Sequence, residues 1–460
     1  MAENRKTLDS SRMGVLPEGR LLLSMALPMM LSMFVQALYN VVDSIYVARV
    51  SEDCLSALSL AFPAQNIMIG LGVGTGVGMS TLISRALGRH DPREAGRVAG
   101  TSLFLCVCCW LLMALFGIFA AQPFIWSQIS DPAIRAHAVS YLKIVTIGSV
   151  FLYFEICVER FLQSTGLTKY FMWTQIIGAV TNIILDPFFI FGWCGLPAMG
   201  TAGAAIATVI GQGVGMVFGF LFHARKNPEL IVKLSDLRPS GRIIAEIYRI
   251  AFPSIVSMCV GSLTNYLLNR ILVRFSSTAV AVLGAYFKVQ SFFFMPIFAL
   301  NNGMLPIIGY NYGARKKERI YRTLRYGVLY ATICMMIGII WFEIFPGTLL
   351  GIFSPSEEML RIGIPAFRRI GVHFVCAGFS IVAGSACQAL DRSLLSLISA
   401  TLRQLGALIP AAWLLSLTGD VKMVFWSFPI AEVVSVITCA FFLRATLCAM
   451  EKRLSEPIAE

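Results

Sequence analysis

The chain has 460 residues, of which 57% are hydrophobic and only 13% are charged, and its mean hydropathy is +0.75. Soluble domains carry about 25% charged residues, so this composition excludes a soluble globular protein and indicates an integral membrane protein. In a membrane protein, the net charge of +12 reflects basic cytoplasmic loops and does not indicate a nucleic-acid partner.

The first apolar stretch, residues 21–47, carries three polar side chains although it is long enough to cross a bilayer. Gln36, Asn40 and Asp43 fall at i, i+4 and i+7, so they share one face of a helix. A carboxylate at membrane depth costs about 2.5–3.5 kcal/mol on insertion scales, which makes Asp43 a functional-site candidate. The alternative is that Asp43 lies at the outer headgroup level and is hydrated. Gln36 and Tyr39 are candidates for lining a substrate cavity.

Twelve apolar stretches each exceed the ~20 residues that a helix needs to cross the hydrocarbon core. Their approximate bounds are 21–47, 54–83, 98–121, 137–159, 170–193, 201–223, 245–272, 278–309, 323–345, 361–387, 393–417 and 421–444. If the N-terminus and alternate loops are placed on one side, that side holds 27 Lys and Arg and the other side holds 9, with Lys288 inside a span. Both termini are therefore predicted to be cytoplasmic.

An internal repeat relates the two halves of the chain at a constant spacing of 225 residues. Identical residues recur at this spacing in Pro28 and Pro253, Asn40 and Asn265, Arg49 and Arg274, Gly78 and Gly303, and Gln163 and Gln388. With six spans each, both halves enter the membrane in the same direction, as in some secondary transporters. The predicted fold is an all-α integral membrane protein with twelve transmembrane helices in two six-helix bundles, related by a pseudo-two-fold axis along the membrane normal.

The repeat also sets the predicted domain bounds. These are a cytoplasmic tail at 1–20, an N-lobe at 21–223, a basic linker at 224–244, a C-lobe at 245–444 and a second cytoplasmic tail at 445–460. The longest basic connection between spans falls in the linker, which is typical of the joint between two repeated halves.

The N-terminal half carries the carboxylates that the repeat does not duplicate, since Leu268 stands at the position equivalent to Asp43 and Ala411 at that of Asp186. Asn182 and Asp186 are i, i+4 neighbours on one helix face. At about 1.5 Å per residue, Asp43, Asp186 and Thr208 lie at similar depths, about 9–12 Å below the outer helix ends. Such a group can share and release a proton, or it can bind Na⁺ through hard oxygen ligands. The alternative for Asp186, directly before Pro187, is capping of a broken helix.

The C-terminal half carries a second polar cluster. Its members each lie about 17 Å from the nearer helix end, close to the membrane midplane: Lys288, His373, Arg403 and Glu432. Because lone charges there are costly, we predict that Glu432 pairs with Lys288 or Arg403, with a structural role first and substrate contact second. Glu155 and the Glu159–Arg160 pair lie near a cytoplasmic helix end, and we interpret them by snorkelling and local ion pairing.

Four stretches resemble the multidrug and toxic compound extrusion (MATE) family, and in particular its bacterial DinF/MepA-type branch. They are LYNVVDSIYVAR, the run from Glu159 to Gly192, GTAGAAIAT and FALNNGMLPIIGYNYGARKKER. The resemblance implies two bundles in a V shape in a bacterial plasma membrane. It also implies export of amphipathic, often cationic compounds against an inward H⁺ or Na⁺ gradient. The ion site of that branch falls on Asp43, Asn182, Asp186 and Thr208, with Asn40 nearby.

The sequence thus favours a cation-coupled exporter that works by alternating access and is not an enzyme. A lipid-linked oligosaccharide flippase of the same superfamily is the alternative, which an arginine-lined cavity would favour. An intramembrane enzyme is weaker, because no paired metal ligands and no nucleophile with its base are present. We expect no cofactor or metal beyond the coupling ion H⁺ or Na⁺. The expected partners are small organic substrates and membrane lipids but no nucleic acid, and the expected state is a monomer.

Overall fold

The computed structural model describes residues 8–353 and 355–456, and within them the chain folds into α-helices joined by short turns. Ten of these helices are long and apolar enough to cross a membrane, and two bent pairs raise the number to as many as twelve. The pairs are Pro132–Ile147 with Ser149–Ser164, bent by 45°, and Glu357–Gly371 with Phe374–Ala389, bent by 50°. The predicted all-α membrane fold is confirmed. The ends of the predicted tails, 1–7 and 457–460, lie outside the described residues.

The helices of the first part of the chain begin at recognisable signals. Ser51 accepts a hydrogen bond from the Cys54 amide at 3.1 Å, and Asp91, followed by Pro92, accepts one from the Glu94 amide at 2.9 Å, as N-caps do. The helices are α1 (Leu8–Val15), α2 (Glu18–Ala48), α3 (Glu52–Gly88), α4 (Pro92–Leu115), α5 (Ala121–Trp126), α6 (Pro132–Ile147), α7 (Ser149–Ser164), α8 (Thr168–Phe191), α9 (Thr201–Lys226) and α10 (Gly241–Leu272). A π-helical turn, Phe116–Ala120, joins α4 to α5, and short 3₁₀ turns lie at Trp193–Gly195 and Leu234–Leu237.

The second part of the chain repeats this pattern of capped helices. Ser276 accepts a hydrogen bond from the Ala279 amide at 3.1 Å, in the same way as Ser51 at the start of α3. The helices are α11 (Ser277–Gly313), α12 (Lys317–Ile344), α13 (Pro346–Gly351), α14 (Glu357–Gly371), α15 (Phe374–Ala389), α16 (Ser393–Thr401), α17 (Ile409–Ser416), α18 (Val421–Val424) and α19 (Ser427–Ser455). A π-helical segment, Leu402–Leu408, joins α16 to α17.

The chain divides into two compact units, and two of the boundaries between them lie inside long helices. Unit 1 contains Pro28–Ala251 and the described residues up to Met13, and unit 2 contains Gly14–Leu27 with the chain from Phe252 onward. The boundaries fall at Pro28 in α2 and beside Pro253 in α10, where a proline removes a backbone hydrogen bond of the helix. Residues 21–27, predicted as N-lobe, therefore group with unit 2, and residues 245–251, predicted as C-lobe, group with unit 1.

Close contacts at glycines explain this grouping. A Cβ atom at Gly78 of α3 would lie 2.5 Å from the Ile247 carbonyl oxygen, so the first part of α10 packs directly on α3 within unit 1. At the equivalent position in unit 2, a Cβ atom at Gly303 of α11 would lie 3.3 Å from the Ala26 backbone nitrogen. Small residues at such contacts allow two membrane helices to approach closely.

The seam between α8 and α9 positions the polar residues of unit 1. A Cβ atom at Gly203 would lie 2.3 Å from the Phe189 carbonyl oxygen, and one at Gly211 would lie 2.8 Å from that of Gly178. The backbones of the two helices therefore touch along several turns. Side chains that border this seam, such as Asn182, are held at fixed positions by the close packing.

Candidate functional site

Three of the predicted ion-coupling residues meet at the α8–α9 seam. The Asn182 side-chain nitrogen lies 3.4 Å from Oδ1 of Asp186 and 3.4 Å from Oγ1 of Thr208. Asp186 is fully buried and Asn182 is 3% exposed. The Thr208 hydroxyl also donates to the Ala204 carbonyl at 2.9 Å, which orients its oxygen toward α8. Asn182, Asp186 and Thr208 thus form one polar group within unit 1.

Asp43 of α2 lies near this group. Its side chain is 8% exposed, and it lies within electrostatic range of Asp186. Among the described residues, three buried oxygens of the group have no hydrogen-bond partner: Oδ1 of Asp43, Oδ1 of Asn182 and Oδ2 of Asp186. Buried polar oxygens without a partner are costly, and a proton or a small cation would satisfy them. We refer to Asp43, Asn182, Asp186 and Thr208 as the acidic site.

Two further polar residues border the acidic site and were not predicted from the sequence. Tyr141 of α6 is 3% exposed and lies within electrostatic range of Asp43 and Asp186. Gln65 of α3 donates to the Tyr141 hydroxyl at 2.9 Å. Both are polar residues inside apolar stretches, the signal that identified Asp43, but neither carries a charge that would have drawn attention to it.

The remaining polar residues of the first span are placed differently. Asn40 and Gln36 are exposed, and no described contact joins either side chain to the acidic site. Asn40 instead accepts a hydrogen bond at its backbone carbonyl from the Ser44 hydroxyl at 2.8 Å. Tyr39 is half-buried and lies within electrostatic range of Asp43 and Asp186. The helix face that these residues share is therefore buried at Asp43 and exposed at Asn40 and Gln36.

In unit 2, the ion pair predicted for Glu432 is present with Arg403. The guanidinium Nη1 lies 3.3 Å from Oε2 of Glu432. The Glu432 side chain is 3% exposed, whereas that of Arg403 is 29% exposed. His373 is also buried, at the bend between α14 and α15, and its ring lies 5.9 Å from that of Phe428. Arg403, Glu432 and His373 therefore occupy the same interior region of unit 2.

Lys288 does not belong to this cluster, so of the two partners predicted for Glu432 the structure shows Arg403 and not Lys288. Its side chain is exposed, and its ammonium lies 5.9 Å from the ring centroid of Phe353, beyond the end of α13. A long, flexible lysine side chain can carry its charge away from the apolar interior. The depth of its backbone along α11 therefore did not fix the depth of its charge.

The snorkelling predicted for Glu155, Glu159 and Arg160 is also wrong, although Arg160 lies within electrostatic range of Glu159. They are 8%, 3% and 6% exposed, respectively, so all three lie inside unit 1. Arg160 donates to Oε1 of Gln163 at 2.6 Å. The face of α7 that carries them packs against α3 and α9, and that contact was not visible in the sequence.

The many membrane-spanning helices, the repeated halves and the buried carboxylates are those of a multi-pass membrane transporter. The MatE family model matches residues 28–188 and 253–414, two segments that begin at Pro28 and Pro253 and together cover more than half of the chain. The chain therefore belongs to the MatE family, and the resemblance to this family is confirmed.

Relatives and solved structures match along almost the whole chain. The multidrug export protein MepA of Staphylococcus saprophyticus is 25% identical over 446 residues, which cover 95% of this chain and 94% of the relative. The FAD transporter of Shewanella oneidensis is 24% identical over 436 residues, or 94% and 95% of the two chains. An outward-facing multidrug resistance MATE transporter is 25% identical, with a TM-score of 0.88 over 95% of this chain and 97% of that one. A MATE protein in a straight conformation is 25% identical, with a TM-score of 0.90 and coverage of 97% and 100%.

Proposed function

We propose that this protein is a secondary active exporter of amphipathic, often cationic organic compounds, driven by an inward gradient of H⁺ or Na⁺. The observation that carries the proposal is the acidic site in unit 1, with two buried carboxylates and three oxygens that have no hydrogen-bond partner in the described part of the chain. The relatives add support, since one carries the name multidrug export protein. We further propose that the exporter acts as a monomer in a bacterial plasma membrane, in contact with lipids and with both termini in the cytoplasm.

The donor set of the acidic site suits either coupling ion. A proton would neutralise one of the two carboxylates and give a partnerless oxygen a hydrogen to donate. Na⁺ would instead be bound by carboxylate, amide and hydroxyl oxygens, the hard ligands that such cations prefer. In both cases the bound ion removes the repulsion between Asp43 and Asp186, so helix α2 can pack more closely against α8.

Helix α2 connects ion binding to transport in this proposal. The helix carries Asp43, and the boundary between the two units falls at Pro28 of the same helix. A change in how α2 packs near Asp43 therefore acts on the segment that belongs to both units. Opposite fluxes are coupled if ion and substrate prefer different facing states of the protein.

The test is efflux of ethidium, a fluorescent organic cation, from proteoliposomes with an imposed pH or Na⁺ gradient. Wild type would be compared with Asp43→Asn and Asp186→Asn, and Asp53→Asn serves as the matched control because Asp53 is exposed on α3. We expect one gradient to drive efflux in wild type and in the control but in neither site variant. Efflux that survives both substitutions would remove the acidic site from coupling. An inert wild type would favour the flippase alternative.

A further inference from the structure

Glu155 of α7 reaches into the seam between α8 and α9. A Cβ atom at Gly215 would lie 2.1 Å from Oε1 of Glu155, and one at Gly178 would lie 3.2 Å from the same oxygen. The carboxylate thus occupies space that any residue other than glycine would fill. No hydrogen bond or ion pair of Glu155 is found in the described part of the chain, although the side chain is buried.

The same seam leads from Glu155 to the acidic site. Gly178 lies one turn from Asn182 and two turns from Asp186, about 12 Å from Asp186 along the axis of α8 toward its predicted cytoplasmic start. Gly211 of α9 lies between Gly178 and the acidic site, since a Cβ atom there would lie 3.1 Å from the Cβ atom of Asn182. The Tyr39 hydroxyl lies within electrostatic range of Asp43, Asp186 and Glu155 alike.

Glu159 lies one turn beyond Glu155 on α7, toward the predicted cytoplasmic side. It is 3% exposed, and its Oε1 atom has no hydrogen-bond partner among the described residues. Glu155 lies within electrostatic range of it, and Gln175 of α8 lies beside it. The buried carboxylates of Glu155 and Glu159 therefore lie between the acidic site and the predicted cytoplasmic side.

We propose that Glu155 and Glu159 form a proton relay between the acidic site and the cytoplasm, through which the coupling proton leaves. This inference rests on the proposed exporter function and commits it to H⁺. A proton bound at Asp43 or Asp186 passes to the Tyr39 hydroxyl oxygen while the hydroxyl proton passes to Glu155. The O–H bond of Glu155 then breaks as that of Glu159 forms, and Glu159 releases the proton to cytoplasmic water. Each carboxyl group ends in its ionised form, and bridging water can span the longer gaps.

The charge beside Glu159 suits its place as the last group of the relay. Arg160, which follows Glu159, brings positive charge to the cytoplasmic end of the relay. A cation near a carboxylate favours its ionised form and therefore proton release at the end of the path. Other titratable groups on α7 or beside it in the described part of the chain are Cys106 and Cys109 of α4, Tyr153 and Cys157 of α7, His223 of α9 and Tyr248 of α10.

The experiment separates gradient-driven transport from substrate exchange in proteoliposomes. Glu155→Gln and Glu159→Gln keep side-chain volume but cannot ionise, and Glu318→Gln is the matched control because Glu318 is exposed on α12. We expect pH-gradient-driven ethidium transport to fall about tenfold or more in both relay variants. Ethidium counterflow without a pH gradient, and ethidium affinity, should remain at the wild-type level, because exchange needs no net proton release.

Three outcomes would overturn the relay. The first is unchanged gradient-driven transport in both variants. The second is equal loss of driven transport and counterflow, which would make Glu159 a structural counter-charge for Arg160. The third is wild-type transport driven by Na⁺ and indifferent to pH, which would leave the exporter and its acidic site intact.

A second measurement does not depend on the substrate. Infrared difference spectra of the purified protein after a pH jump report the C=O stretch of protonated carboxyl groups. We expect Glu155→Gln and Glu159→Gln each to remove part of this signal, and Asp43→Asn with Asp186→Asn to leave the relay part in place. Spectra identical to those of wild type in both relay variants would overturn the relay even if ethidium is not a substrate.

Discussion

The Asn182 amide nitrogen lies 3.4 Å from Oδ1 of Asp186, one turn further along α8. The same nitrogen lies 3.4 Å from the Thr208 hydroxyl of α9, so one amide joins both helices at the acidic site. Its own oxygen has no hydrogen-bond partner among the described residues. Asn182 therefore holds the Asp186 carboxylate in place, and in the proposed function its oxygen is a ligand of the coupling ion.

Replacement of Asn182 by leucine should impair coupling without unfolding the protein. Leucine has a similar volume but neither orients Asp186 nor offers an oxygen to the ion. We expect gradient-driven efflux to fall about 10- to 100-fold, as for loss of a group that supports a bound ion, with normal membrane insertion. Thr181→Ala is the control, since the one hydrogen bond of the Thr181 hydroxyl among the described residues stays within α8, to the Ile177 carbonyl at 2.7 Å. Normal coupling in Asn182→Leu would show that the amide does not serve the ion site.

The Arg403–Glu432 pair should stabilise unit 2. Removal of one partner of a buried pair typically costs about 3–5 kcal/mol, and the partial exposure of Arg403 should reduce the effect when Glu432 is the residue replaced. We therefore expect Arg403→Met to lower the apparent Tm more than Glu432→Gln. Arg403→Met combined with Glu432→Leu should recover part of the loss, because no buried charge is then left unpaired. Unchanged folding and transport in Glu432→Gln would contradict this role.

A contact at Gly100 should fix the linker to α4. A Cβ atom there would lie 2.1 Å from the Asp236 carbonyl oxygen and would displace the 3₁₀ turn of the linker. We expect Gly100→Ala to destabilise the protein by about 1–3 kcal/mol, the usual cost of overpacking, measured by thermal unfolding in detergent. Gly241→Ala is the control, because nothing lies within 4 Å of the added Cβ atom. Equal Tm values in the two variants would count against this contact.

The ion pair between Glu18 and Arg319 should hold the start of α2 on unit 2. The two groups are 3.1 Å apart, with side chains 7% and 17% exposed, and Arg319 also donates to the Leu16 carbonyl. We expect Arg319→Gln to speed amide hydrogen exchange in residues 14–27, since a loss of about 1.4 kcal/mol of local stability corresponds to about tenfold.

The matched control for this ion pair lies one turn further along the same helix. Arg322 is 64% exposed and lies 4.0 Å from the Glu318 carboxylate, and such exposed pairs contribute little to stability. Arg322→Gln should therefore leave the exchange rates of residues 14–27 unchanged. Faster exchange in both variants alike would attribute the effect to loss of positive charge rather than to the pair.

The fold and part of the site could be predicted because they leave strong local signals. Long apolar stretches specify membrane helices almost without tertiary information, and a spacing of 225 residues that is constant over several spans reveals the repeat. Asp43 and Asp186 stood out because a charge in such a stretch is rare and costly. Both are buried in the structure, as that cost requires.

The residues whose placement the sequence does not predict depend on contacts between helices that are distant in the chain. Tyr141 and Gln65 meet only because α6 packs against α3, and neutral polar residues give little signal alone. Glu155 is buried because Gly178 and Gly215 leave space for its carboxylate. These three residues lie on three different helices, so the sequence alone does not show that they meet. Lys288 was misplaced because the depth of a backbone position does not fix where a flexible charged side chain ends.

Linkage between ion and ethidium binding would test the central claim most directly. Ethidium affinity of the purified protein would be measured by fluorescence across pH and across Na⁺ concentration, for wild type and for the Asp43→Asn/Asp186→Asn double variant. We predict that saturation with the coupling ion weakens ethidium binding by about 5- to 150-fold in wild type and leaves the double variant unaffected. Wild-type affinity indifferent to both ions, or a dependence that survives in the double variant, would contradict the account.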